Sequence, residues 1–108
     1  MGKKTSELTG HALNFVVSQI EGVDHDTAIL NITVGDDNGW KLDYLTWAQG
    51  GPIIEREKIG VSFESVDLWE AWAYDGVTGT GPTPLIAAMR CFVASRLGDE
   101  VEIPEGLA

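Results

Sequence analysis

The sequence predicts an α+β fold in which two helices, one near each end, cover a small antiparallel sheet. Two observations carry this: apolar residues recur at helical spacing near the N-terminus and again over residues 84–97, and the stretch between them shortens to a period of two. A third is size. The 108 residues suit one domain, 1–108, with a single core that removes roughly two thirds of the unfolded surface from water.

The first helix is read from "LTGHALNFVVSQIEG". Leu13, Val16, Val17 and Ile20 fall at i, i+3, i+4 and i+7, so one face is apolar. Thr9 stands as N-cap, Leu8 and Leu13 flank it as a hydrophobic staple, and Gly22 offers a left-handed stop. "VDHD" at 23–26 reads as a solvated turn. In "AILNITV", Leu30, Ile32 and Val34 alternate with Asn31 and Thr33, a strand pattern, and "DDNGW" supplies turn chemistry after it.

Ile53 to Val61 and Trp69 to Tyr74 are further strand candidates, and the glycines at 76, 79 and 81 break the chain before the last helix. That helix is the firmest element. Thr83 caps it, Pro84 takes the first helical position, Gly98 closes it, and Leu85, Ile86, Met89, Phe92, Val93 and Leu97 form a wide apolar stripe. Its other face is small: Ala87, Ala88, Cys91, Ala94 and Ser95. Such a helix is expected to pack on the sheet by one side and on something else by the other, a second copy being one choice, so a homo-oligomer through 84–97 is expected. Residues 98–108 read as an acidic tail that frays in part.

Charge narrows the partners. With 17 acidic against 7 basic side chains the chain carries −10, and no Lys/Arg stripe exists to release counterions, so direct nucleic-acid binding is not expected. At 44% hydrophobic residues with four tryptophans, it is too apolar to be a disordered acidic tail. No apolar run is long enough for a membrane span, and the first ten residues lack a signal-peptide core. Cys91 is alone, which suits a reducing compartment; a cytoplasmic protein of a bacterial host is the expectation.

Motifs for chemistry fail one by one. Gly76 and Gly81 have the spacing of a phosphate loop, but Pro82 replaces its lysine. Gly79 and Gly81 would need a third glycine where Pro84 stands. "VGDDNG" lacks both end ligands of a calcium loop, and His11 and His25 are too distant in sequence to form a zinc pair by themselves. Cys91, mid-helix among small and apolar residues, reads as a buried inert thiol. Glu55 and Glu57 on a strand would share a face, with Arg56 and Lys58 on the other. No catalytic residue, metal or cofactor is expected.

One stretch, "TWAQGGPIIEREKIG", allows two readings. Gly50-Gly51-Pro52 suits a hairpin corner, a positive φ followed by a fixed one, with a strand starting at Ile53. Alternatively Trp47, Gln49 and Arg56 line a cleft there, an aromatic plate, an amide and a guanidinium facing a planar or anionic ligand.

Three blocks, "KKTSELTGHAL", "WAQGGPIIEREKI" and "GPTPLIAAMRCFVASRLGDEVEIPE", cover roughly half the chain in order and resemble the NinX-like family of small proteins encoded by lambdoid phages and prophages. The approach to the middle block departs from it: "WKLDYLTWAQGGP" stands where relatives carry a Ser-Pro-containing segment. The resemblance implies phage or prophage origin, expression inside a bacterial host and an accessory role, and it supplies no catalytic residue. A non-enzymatic protein that binds a host or phage protein is the first expectation. The second is a protein that sequesters a small anion or nucleotide, its site combining Trp47, Gly50, Gly51 and Arg56 with the Gly81-Pro82-Thr83 helix start and Arg90. The third is an acidic DNA mimic.

Overall fold

Helix formation over residues 84–97 follows the sequence closely. In the computed structural model, which describes residues 2–107, helix α4 spans Pro84–Leu97; Thr83 Oγ1 accepts the Ile86 N–H at 3.1 Å, Pro84 opens the helix, and Gly98 leaves it at φ +90°. Met1 and Ala108, the two ends of the expected domain and its tail, lie outside the described residues. Before α4 come β1 (Gly2–Lys4), a 3-10 turn (Thr5–Glu7), α1 (Gly10–Ile20), α2 (His25–Thr33), α3 (Trp47–Glu57), β2 (Gly60–Ser65), β3 (Leu68–Trp72) and β4 (Thr78–Gly81). Strand β5 (Glu100–Glu102) follows it. The α+β class holds, with two more helices and a second sheet beside the elements expected.

Helix α1 ends as its glycine dictates. Gly22, at φ +86°, donates to Gln19 C=O and Val23 donates to Ser18 C=O, the paired bonds of a Schellman stop. Leu8 and Leu13, on either side of the Thr9 cap, are both buried. Asn14 is buried too, and it reaches across: its Oδ1 accepts the Tyr44 N–H at 2.7 Å and its Nδ2 donates to Asp43 at 3.1 Å, anchoring the loop before α3.

Two expected strands are helices. The alternation of Leu30, Ile32 and Val34 predicts a strand, but Leu30 and Val34 face solvent, while Ala28 and Ile32, four residues apart, are the pair that packs on the core. "VDHD" is correspondingly not a loose turn: Asp24 accepts the Thr27 N–H and caps α2. The second correction is the Gly50-Gly51-Pro52 corner. These residues lie inside α3, and the strand expected from Ile53 begins only at Gly60. Pro52 has no N–H for the Ala48 carbonyl, a helical cost; Gly51, lacking Cβ, relieves the clash that disfavours helical backbone before proline. Gly50 is required for another reason. A Cβ there would lie 2.1 Å from the Tyr44 carbonyl oxygen and 2.7 Å from Leu85, so only glycine lets α3 approach the loop that Asn14 holds. Glu55, Arg56 and Glu57 therefore sit on the last turns of a helix, not on alternate faces of a strand.

The three-stranded sheet runs β2-β3-β4, antiparallel throughout. Register places Val61, Ala71 and Gly79 in one row across it, and this face receives α4. Gly79 and Gly81 do not break the chain as expected; they are residues of β4, small because α4 crosses directly over them. A Cβ on Gly79 would meet the Cys91 nitrogen at 2.6 Å and the Ala87 oxygen at 2.8 Å. The small face of α4 is thus spent within the chain: Ala87, Ala88 and Cys91 are fully buried here, and α1 and α3 pack on the helix as well. Gly76, at φ +90°, closes the three-residue β3–β4 turn, where Ala73 N–H donates to Val77 C=O at 2.8 Å.

The acidic tail is the last correction. Glu100–Glu102 pairs antiparallel with Gly2–Lys4, and Val101 and Ile103 are buried, so the segment closes the core instead of fraying. Thr5 continues the pairing, donating its N–H to Asp99 C=O and its hydroxyl to Gly98 C=O, both at 2.7 Å.

Candidate functional site

Of the eight residues expected to hold a ligand, the structure brings Trp47, Gly51 and Arg56 together. They share an open surface on α3 with Ala48, Pro52, Glu55 and Lys58, and Trp47 is 60% exposed. Gln49 takes no part in it: its Oε1 accepts the Asp43 N–H at 2.9 Å and its Nε2 donates to Lys41 C=O at 2.8 Å, so both ends of the amide hold the preceding loop. Gly50 is turned inward. Thr83 is occupied in capping α4, and Gly81 is buried beneath it. Arg90 lines a separate cavity, with Nε donating to Leu8 C=O at 2.7 Å and Nη1 to Thr80 C=O at 2.9 Å. The combined site of Trp47, Arg56, Thr83 and Arg90 is thus divided among three places.

Arg56 is chiefly a clamp. Its Nη1 and Nη2 donate to the two Glu21 oxygens at 2.9 and 2.8 Å, and its Nε donates to Glu57 at 2.8 Å, joining the end of α1 to α3. Arg96 donates to the other Glu57 oxygen and brings in α4, and both guanidinium groups lie near the Phe92 ring. Hydrogen bonds from Arg56 and then Arg96 hold the Glu57 carboxyl below its ordinary pKa, and the bonds to Glu21 and then Glu57 raise that of Arg56.

A second apolar feature lies elsewhere. A groove of about 590 Å³ runs between α1 and β5, floored by Phe15, Val16, Leu97, Val101, Ile103 and Pro104. Four polar side chains rim it: Gln19, His25, Glu100 and Glu102. The His25 ring is set edge-on against Phe15 at 5.3 Å, with Nδ1 3.2 Å from Asp26 Oδ1. This size and apolar lining fall within the range of ligand and side-chain pockets. Sequence reasoning missed it because three distant segments build it; the signal present was the alternation of Val101 and Ile103 with Glu100 and Glu102, a strand pattern inside the supposed tail.

Covalent chemistry finds little purchase. The Cys91 thiol is fully buried, donates to Val77 C=O at 3.3 Å, and is pushed up to about 11 by desolvation and then by Asp75. Among the described residues no three His, Cys, Asp or Glu side chains gather as a metal site, and no helix is long and apolar enough to cross a membrane.

Fold and surface together define a small acidic α+β domain with an apolar groove and an arginine-rich clamp. The chain belongs to the family described as Bacteriophage P22, NinX, whose model matches residues 4–96. Comparison with curated proteins finds none that matches. The matched stretch contains α1 to α4 up to Arg96, so the β5 wall of the groove lies beyond it.

Proposed function

We propose that this protein is a non-enzymatic accessory protein of a phage or prophage, which binds a host or phage protein by taking an apolar segment into the α1–β5 groove. The observation that carries the reading is the groove itself: six apolar residues form its floor and two glutamates stand on its rim. A segment with apolar side chains and basic flanks is its natural complement. The chain's charge of −10 would steer such a partner and make its capture weaken with salt.

Leu97 is 51% exposed at the end of α4 and lines the groove, so a photo-crosslinking phenylalanine analogue placed there leaves the core intact. Irradiation in infected bacteria is expected to give a covalent adduct with one protein, lost in Gln19→Lys, which sets a repelling charge on the exposed rim, with the fold verified by circular dichroism. Adducts formed from the Trp47 position and none from Leu97 would move the binding surface to α3 and overturn the assignment.

A further inference from the structure

The cavity of about 220 Å³ between β4 and the β1–β5 ribbon has its own chemistry. Its wall on one side is the outer edge of β4. Because Ala73 and Val77 are a hydrogen-bonded pair, register makes Ala71–Gly79 and Trp69–Gly81 the next such pairs and turns the N–H and C=O of Thr78 and Thr80 away from β3. The Thr80 carbonyl, taken by Arg90 Nη1, bears this out. The Thr78 and Thr80 N–H groups have no partner among the described residues.

Arg90 stands beside them, half-buried, and its two bonds go to neutral carbonyls, leaving Nη2 and the second Nη1 hydrogen unspent. Among the described residues no carboxylate lies within ion-pair distance of it, and desolvation lowers its pKa. A desolvated cation without a counter-ion is an unfavourable arrangement that an anion would relieve. Lys4 lies at the mouth, and the Ser6 hydroxyl adds a further donor. Asp99 and Glu100 also line the cavity, and Glu100 stands opposite Lys4 in the ribbon register. Their charge disfavours a polyanion and leaves room for one oxyanion group.

We propose that this cavity binds a small oxyanion, a carboxylate or a single phosphoryl group, held by Arg90, the Thr78 and Thr80 amides and Lys4. It keeps one part of the expectation of a small anionic ligand and relocates it, since Gly81, Thr83, Trp47 and Arg56 are not among its walls. The proposal is independent of the groove.

The test is a nitrogen-15 NMR titration with inorganic phosphate and, separately, acetate, with chloride balancing the ionic strength. Saturable shifts at the Thr78 and Thr80 amides and Arg90 Nε are expected, and Arg90→Gln should weaken binding by about tenfold or more, the loss of a charged hydrogen bond. Since Arg90 also ties Leu8 to β4, Lys4→Glu serves as a second variant: exposed on β1, it should keep the spectrum and weaken binding several-fold. Saturation by phosphate alone assigns a phosphoryl site, and by acetate alone a carboxylate site. Shifts that grow linearly with both anions into the tens of millimolar, or binding unchanged in Lys4→Glu, would overturn the proposal.

Discussion

Replacing Gly50 by alanine asks whether α3 really passes through the glycine pair. In a hairpin corner the exchange would be judged by φ alone; in a helix an exposed glycine-to-alanine change stabilises by about 1 kcal/mol. Position 50 opposes that gain with a collision. The new Cβ would stand 2.1 Å from the Tyr44 oxygen, and reaching the 3.4 Å at which ordinary contact begins needs a retreat of about 1.3 Å. Tyr44 cannot move alone, because its N–H is bound to buried Asn14 and the neighbouring Asp43 N–H to Gln49. Overpacking of this kind costs about 1–3 kcal/mol, and a broken buried hydrogen bond about 1–3 more. Less the propensity gain, the expected net loss is about 1–5 kcal/mol, or roughly 5–30 °C in melting temperature for a domain of this size. Gly51→Ala is the control. The nearest atom to its Cβ is on Trp47 at 3.8 Å, so propensity and the restriction before Pro52 nearly cancel, and the change should stay within about 1 kcal/mol. Thermal and urea unfolding followed by circular dichroism measure both. Gly50→Ala as stable as Gly51→Ala would refute the close approach of α3 to Tyr44.

Four further expectations come from other parts of the molecule. Arg56→Ala should destabilise, by about 0.5–1.5 kcal/mol after allowance for a guanidinium that is 50% exposed, with the loss shrinking in high salt; an unchanged melting temperature would return Arg56 to the role of a free ligand contact. In the same cluster the folded pKa of Glu57 is depressed, so its contribution is present above the unfolded value of about 4.3 and is lost as pH falls through the folded one; the acid limb of a stability–pH curve should flatten in Glu57→Gln. Lys58 ends α3 in left-handed backbone at φ +55°, with Ile59 N–H on Ile54 C=O, so Lys58→Gly should raise stability by about 0.5–1 kcal/mol in urea titrations. A loss there would mean that the lysine side chain matters more than its backbone. Cys91 should react with iodoacetamide at the rate at which the fold opens, and fast labelling under native conditions would contradict both its burial and its raised pKa.

What could be read in the sequence was whatever a single segment decides. Thr83, Pro84 and Gly98 settle the limits of α4 by local chemistry, and Gly22 does the same for the end of α1, whereas Thr9 holds the N-cap position without a side-chain capping bond. The misread elements are those where a neighbour decides. Ile32 belongs to a helix because Ala28 four residues earlier also meets α1, while the equally apolar Leu30 and Val34 are left to solvent; alternation in the sequence does not distinguish the two. Gly50 and Gly79 look like turn residues, yet each is small because another backbone comes within reach of its missing Cβ. For the sites the same division holds. Trp47 and Arg56 were found together because they are close on one helix, whereas Gln49 turned to its own loop, and the groove waited on Phe15 and Ile103, nearly the whole chain apart.

The pairing of β1 with β5 sets an order of events during synthesis. β1 leaves the ribosome first and β5 is the last described strand to follow, so their ladder is the most non-local contact in the fold and the slowest to be rewarded. Until β5 arrives, Phe15 and Val16 lack the wall that Val101 and Ile103 supply. A chain whose synthesis has not passed Ile103 therefore lacks two buried core side chains, Val101 and Ile103, as well as one side of the groove, so trimming this last strand is a loss of core and not of a dispensable tail.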